Sequence, residues 1–208
     1  MIGIAICYTG PLEEGEKAIK PLRDFGSPAI DLVGPLPYTA LQGMFDLFYP
    51  HGICSYWKTE HLNELSDDAA EETLAHFAEK TSPLSQFFIE HLGGALTRAS
   101  EDEMAFSHRD ARYRIFVVTL WTDPAEGETH IDWARDWWQA IKPYSTGDVY
   151  LNYLGEEGED RVRAAYGPGK YERLATLKAK YDPTNFFRLN QNIAPAREMA
   201  YAARSAAS

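Results

Sequence analysis

The sequence predicts an α+β protein: a mainly antiparallel sheet flanked by helices on one side, followed by a C-terminal strand-helix-tail element. Three observations carry that reading. Short β-branched and aromatic runs, clearest in ARYRIFVVTLW (residues 111–121), alternate with segments of helical period. No glycine-rich phosphate loop follows any strand: Gly10-Pro11 and Gly93-Gly94 fall short of GxGxxG or GxxxxGKS, so a nucleotide-binding parallel sheet is disfavoured. Finally, 208 residues, 45% hydrophobic and 25% charged, suffice for a substantial core without staples.

Taken in order, residues 2–9 (IGIAICYT) are apolar on both faces and predict a strand buried on both sides, ended by Gly10-Pro11. Residues 12–24 carry Ala18, Ile19 and Leu22 at helical spacing until FGSP (25–28) breaks the pattern. Residues 28–52 are rich in Pro and Gly, yet hold Tyr38, Phe45, Phe48 and Tyr49. A long loop with so many aromatics is expected to pack against something. Residues 53–59 predict a strand. Asp67 to Lys80 predicts a helix with Ala70, Leu74 and Phe77 on one face and Ser66 as N-cap.

Residues 84–92 predict a strand closed by Gly93-Gly94, and 111–121 the central one. Residues 126–141 predict a helix aligning Ile131, Ala134, Trp138 and Ile141. Residues 148–154 predict a strand. Lys170 to Tyr181 predicts a helix with Tyr171, Leu174, Leu177 and Tyr181 on its face, stopped by Asp182-Pro183. The expected division is a domain over 1–147, an element over 148–197 packed on the same sheet, and a tail over 198–208.

The net charge is −11, with acids spread along the chain, so nucleic acid and anionic membrane surfaces are not expected partners. No apolar run approaches the roughly 20 residues of a membrane span. The start, MIGIAICYTG, lacks a basic n-region and a small-residue cleavage site. Cys7 and Cys54 form no CxxC, which suits free thiols in a reducing cytoplasm.

Six histidines occur without HxH or HExxH spacing, so no metal site is expected. No GxSxG elbow is present. The cluster Trp133, Trp137 and Trp138 reads first as core. His108-Arg109, just before the central strand, either caps the sheet or reaches an acidic group on a ligand. Tyr150 and Asn152 share one face of a predicted strand. A phenol and an amide there either satisfy each other and nearby backbone or face a ligand pocket.

The residues from 150 onward resemble one family. YLNY (150–153), YG (166–167), YERL (171–174), Lys178, YDP (181–183), Asn185, Phe186, Phe187 and NQNIAP (190–195) are similar, in order and spacing, to the C-terminal element of berberine-bridge-type FAD-linked oxidases. Upstream, PLRDFG (21–26), PYTALQ (37–42), YWK (56–58), GG (93–94) and FSHR (106–109) resemble that family's substrate-binding half.

The resemblance implies a substrate domain that closes over the reactive face of FAD, with FAD itself held by a flavin-binding half outside these residues, in trans as a domain or subunit. It implies that Tyr150 and Asn152 contact substrate and flavin, Tyr150 as the catalytic phenol, and that Asn190 and Gln191 are flavin-side contacts. Some relatives place Lys, Glu or Gln beside the tyrosine. In 111–121 the central positions are Ile115, Phe116, Val117 and Val118, so Gln86 and Glu90 on the preceding strand are the candidate substitutes, with His108 and Arg109 as further substrate contacts. The expected reaction is hydride transfer from a small organic alcohol or amine to flavin. The alternative is a non-catalytic small-ligand or interaction module that closes its bare face by forming a homodimer.

Overall fold

The computed structural model of the chain describes residues 2–155 and 157–196; the expected tail at 198–208 lies outside them. The chain divides into two compact units, residues 1–51 and 52–208.

In the first unit, α1 spans Leu12–Arg23 and α2 spans Tyr38–Gln42, followed by a 3-10 turn at Asp46–Phe48. Arg23 closes the turn after α1 through Asp31 (2.8 Å) and the Val33 carbonyl (2.5 Å). Gly15 is the buried residue of α1 because the Tyr8 ring lies over it: a Cβ there would come within 2.8 Å of the ring. Residues 2–9 are not a strand, against expectation. A strand exists only with a hydrogen-bonded neighbour, and this segment has none among the described residues; Ile2 and Ile4 are exposed. In the aromatic loop Tyr38, Phe45, Leu47 and Phe48 are exposed, Tyr49 is half-buried, and the rings of Phe45 and Phe48 lie 6.3 Å apart.

The second unit is built on a three-stranded antiparallel sheet. Strand β1 is Cys54–Leu62, α3 is Asp67–Ala78, β2 is Gln86–His91, α4 is Ala95–Arg98 and β3 is Tyr113–Trp121. The order is β1-β3-β2, with Phe116 opposite both Thr59 and Phe88. The antiparallel α+β architecture is the one the sequence predicts. β3 is central because residues 114–121 can be buried on both faces without a break.

Helix α3 and α5 (Gly127–Ile141) cover one face, gathering Leu62, Ala69, Ile115, Val117, Trp133, Ala134, Trp137 and Ile141 into the main core. Ser66 caps α3 by accepting from Ala69 N at 3.2 Å, as predicted. The inward stripes are displaced from the expected ones. On α3 they are Ala69 and Thr73, and Leu74 is exposed; on α5 Ala134 and Ile141 are buried as expected, joined by His130, Trp133 and Trp137, while Ile131 and Trp138 are half-buried. The reason is the indole of Trp137, fully buried, which donates to Thr73 Oγ1 at 3.3 Å and so turns both helices toward the pair.

The C-terminal element contains α6 (Glu159–Tyr166) and α7 (Pro168–Tyr181). On α7, Tyr171 and Ala175 are buried, whereas Leu177 and Tyr181, expected inward, are exposed. The predicted strand at 148–154 is not formed. Leu151–Tyr153 is a 3-10 turn closed by Tyr153 N→Tyr150 O (2.9 Å) and Leu154 N→Leu151 O (3.2 Å). Before it, the chain touches the β1 end through one backbone bond, Thr146 N→His61 O at 2.9 Å. A charge cluster then fastens the element to β1. Lys58 pairs with Glu157 at 2.8 Å, and Arg161 reaches Glu157 (3.3 Å) and Glu60 (3.6 Å). Glu60, fully buried, also accepts from Trp138 Nε1 at 2.5 Å and from Ser145. A buried carboxylate survives only with such a complete set of donors.

Among the described residues, no helix is long and apolar enough to cross a membrane, and no cluster of His, Cys, Asp or Glu is arranged to hold a metal.

Candidate functional site

The face of the sheet opposite α3 and α5 carries the residues of interest. Alternation on β3 sends Arg114, Phe116, Val118 and Leu120 there, with Trp57, Thr59 and His61 from β1 and Gln86, Phe88 and Glu90 from β2. Phe116 stacks on Phe88 (4.8 Å, 13°) and on Trp57 (6.1 Å, 14°), so three near-parallel rings run across three strands. The 3-10 turn lays Tyr153 against Phe116 (4.8 Å) and Tyr150 edge-on to Tyr153 (5.3 Å). Trp57, Phe88, Tyr150 and Tyr153 stay half-buried, so the surface is apolar but accessible.

At the end of this shelf lies a buried polar group. Arg114 donates to Glu90 at 2.6 Å and, through Nε, to His61 Nε2 at 3.3 Å. Its guanidinium sits 4.2 Å from the Tyr150 ring centre and 5.3 Å from that of Tyr153. The other Glu90 oxygen faces the Tyr153 hydroxyl at 3.4 Å. Burial first, and then the Arg114 and His108 charges, lower the His61 pKa from 6.5 to about 4. The ring is therefore neutral at neutral pH, and accepting at Nε2 leaves the proton on Nδ1, which has no partner among the described residues. Burial, and then the Glu90 charge, push the Tyr153 phenol above its usual range.

Of the residues singled out from sequence, the structure brings Tyr150, Asn152, Gln86 and Glu90 to this face. Asn152 Nδ2 donates to Tyr150 OH at 2.8 Å, so the amide and phenol do satisfy each other, although through a turn rather than a strand. That bond leaves the phenolic proton free to be donated elsewhere. His108 lies beside His61 (6.4 Å between rings), but its nitrogens engage Asp148 (3.0 Å) and the Ala164 carbonyl (2.9 Å), and its φ is +60°. Arg109 is buried, donates to the Leu96 carbonyl at 2.6 Å and lies over Phe106, which in turn touches Tyr150. Gln191 donates to the carbonyls of Leu154 (2.8 Å) and Gly155 (3.0 Å), tying the tail to the tyrosine turn. Asn190 is exposed at φ +59°, where its carbonyl accepts from Asn192 N.

Arg114, His61 and Tyr153 were missed in the sequence. A signal existed for the first: an arginine in a run that reads as buried strand demands an anion, and Glu90 sits in register with it. Two open clefts of about 520 Å³ flank the Lys58–Glu60–Trp138 cluster instead, one beside Tyr56 and Arg135, the other beside Lys142 and Ser145. Neither is lined by Tyr150, Asn152 or Glu90.

Comparison with known proteins matches residues 149–194 to the family described as berberine and berberine like. An FAD-linked oxidoreductase of Dictyostelium discoideum is 30% identical over 190 residues, covering 90% of this chain and 41% of the relative. The chain belongs to the berberine-bridge-type family of FAD-linked oxidoreductases. The FAD-linked oxidoreductase YgaK of Bacillus subtilis is 30% identical over 198 residues, covering 93% of this chain and 43% of YgaK. In fold, 6-hydroxy-D-nicotine oxidase of Arthrobacter nicotinovorans superposes with a TM-score of 0.73 at 24% identity, covering 89% of this chain and 42% of that one. The berberine-bridge-type chain thus spans about two fifths of the length of the curated relatives it matches.

Proposed function

We propose that this chain is the substrate-facing portion of an FAD-dependent oxidoreductase and works with a flavin-binding portion supplied by further polypeptide. The observation that carries the reading is the accessible aromatic shelf ending in Tyr150, Asn152 and Glu90, in a chain of berberine-bridge type. The shelf fits a wall over a flat redox ring rather than a holder of it: it offers ring faces, a phenol, an amide and a carboxylate, and no glycine-rich cradle for a pyrophosphate. When bound, FAD supplies the hydride acceptor.

The chain's own groups do the rest. Trp57, Phe88 and Tyr153 hold the apolar body of a small organic alcohol or amine. The Tyr150 phenol orients the substrate's O–H or N–H by hydrogen bonding, and the Glu90 carboxylate is the base that takes its proton as hydride leaves. Asn152 donates to the phenol oxygen, so the phenol's own proton is the one turned to the substrate. Asn190 and Gln191 lie on the tail that fastens to the tyrosine turn, which suits a flavin-side position.

The test is reconstitution with the flavin-binding portion of a relative such as YgaK, followed by a screen of alcohols and amines. A coloured complex with turnover is expected. Tyr150→Phe lowers that turnover by roughly 100-fold or more, the scale of one acid–base group, and leaves the urea midpoint in place. Full activity in the Phe variant refutes the role of Tyr150.

A second reading, a non-catalytic module that self-associates, is favoured by one observation. Phe186, Phe187 and Leu189 are more than three-quarters exposed on a loop held by Asp182, which accepts from Phe186 N and Phe187 N. A colourless dimer in solution that is unaffected by added FAD supports this alternative.

A further inference from the structure

We infer that Arg114 is the positioning residue of this face: it sets the place of the Tyr150 phenol and ties it to Glu90. The turn that carries Tyr150 is not part of the sheet, and its own backbone bonds are local. Its ends are anchored by Val149 and Leu154 in a small apolar cluster with Ala165. That cluster fixes the backbone but leaves the direction of the Tyr150 ring open. The guanidinium supplies the direction. It projects from the rigid central strand, 4.2 Å from the Tyr150 ring, while its edge is held on two sides by Glu90 and His61.

Arginine suits this place and lysine does not replace it. A planar fork donates in two directions and still offers a flat face to a ring, whereas an ammonium is a single point of charge. The neutral His61 matters for the same reason: only an unprotonated Nε2 can accept from Arg114 Nε. With Nε held by His61, Nη1 by Glu90 and the rings of Tyr150 and Tyr153 beside its face, Arg114 acts through Tyr150 and Glu90. That Tyr150 reacts rests on the function proposed above; its placement by Arg114 does not, and is tested without flavin or substrate.

The experiment is ¹⁹F NMR of the whole chain labelled with 3-fluorotyrosine, with Tyr150, Tyr153 and Tyr171 assigned by single Tyr→Phe changes. In Arg114→Met, the Tyr150 resonance is expected to move toward that of free 3-fluorotyrosine. Tyr171, buried in the separate cluster of Val162 and Ala175, stays in place. Arg114→Lys, which keeps charge but not the fork, recovers part of the shift. A Tyr150 resonance unmoved in Arg114→Met overturns the inference, as does a Lys variant indistinguishable from Met. Should the Met variant fail to fold, Glu90→Ala decides: it releases the guanidinium at the rim, so a smaller Tyr150 shift in the same direction supports the inference and none overturns it.

Discussion

The two faces of strand β3 differ in kind. On one, Ile115 and Val117 meet Trp133, Trp137 and Ile141, and the polar atom of Trp137 has its acceptor in Thr73. On the other, Phe116 lies in a row of half-buried rings beside an arginine, a histidine and a carboxylate. Residues one step apart in sequence therefore serve different ends. The covered face makes the unit stable. The open face holds groups that are costly to bury and are tolerated because they neutralise one another.

The largest expected effect lies on the covered face. Trp137→Ala removes the biggest fully buried side chain of that unit and leaves Thr73 without its donor. A loss of about 3–5 kcal/mol is expected from the urea midpoint. A loss below about 1 kcal/mol would show that the core is centred elsewhere and that the contrast between the faces is misplaced.

The open face should instead reveal itself by pH. His61 is neutral in the folded chain, with a pKa near 4, whereas an unfolded histidine protonates near 6.5. The folded state then binds fewer protons in between. The stability this contributes is complete above about pH 6.5 and falls as pH drops toward 4, by about 3 kcal/mol in all. His61→Gln keeps an acceptor for Arg114 and cannot titrate. The variant's urea midpoint should be flatter than that of the native chain between pH 6.5 and 4.5. Equal slopes in the two proteins would remove His61 as the acid-sensitive group of this face.

How far the sequence discloses this contrast depends on which force shapes each part. The strands at 54–62, 86–91 and 113–121 were legible as runs at 53–59, 84–92 and 111–121, the first three residues short, because β-branched and aromatic runs have few other uses. Helix α3 was legible through Ser66, whose cap is a local bond. The inward stripe was not, since a Trp137–Thr73 contact across 64 positions decides it. Residues 148–154 read as a strand on pattern alone, yet local turn bonds and the Arg114–tyrosine contacts prevailed. Of the two alternatives open for Tyr150 and Asn152, their mutual bond is formed because the turn, like a strand, brings those side chains to one side. Arg114 was overlooked for a physical reason: its value lies in partners from β1, β2 and the tyrosine turn, and no window of the sequence contains all of them.

The finest comparison uses two neighbours on β2. Phe87 points to the covered face and packs against Phe77 (5.9 Å), Trp133 (5.6 Å) and Trp137 (4.8 Å). Phe88 points to the open face and stacks on Phe116 at 4.8 Å. Both rings are half-buried by area, so burial alone predicts equal costs for replacement by Ala. Packing predicts otherwise. Loss of Phe87 opens a cavity among three aromatic rings that the sheet and two helices hold in place, worth about 3 kcal/mol. Loss of Phe88 opens onto solvent, which fills the space, and about 1–2 kcal/mol is expected from the apolar area alone. Urea midpoints of Phe87→Ala and Phe88→Ala, measured at pH 7 to keep His61 neutral, should therefore differ by about 1–2 kcal/mol. Equal costs would mean that the open face is packed as tightly as the covered one, and a shelf so packed could not admit a ligand.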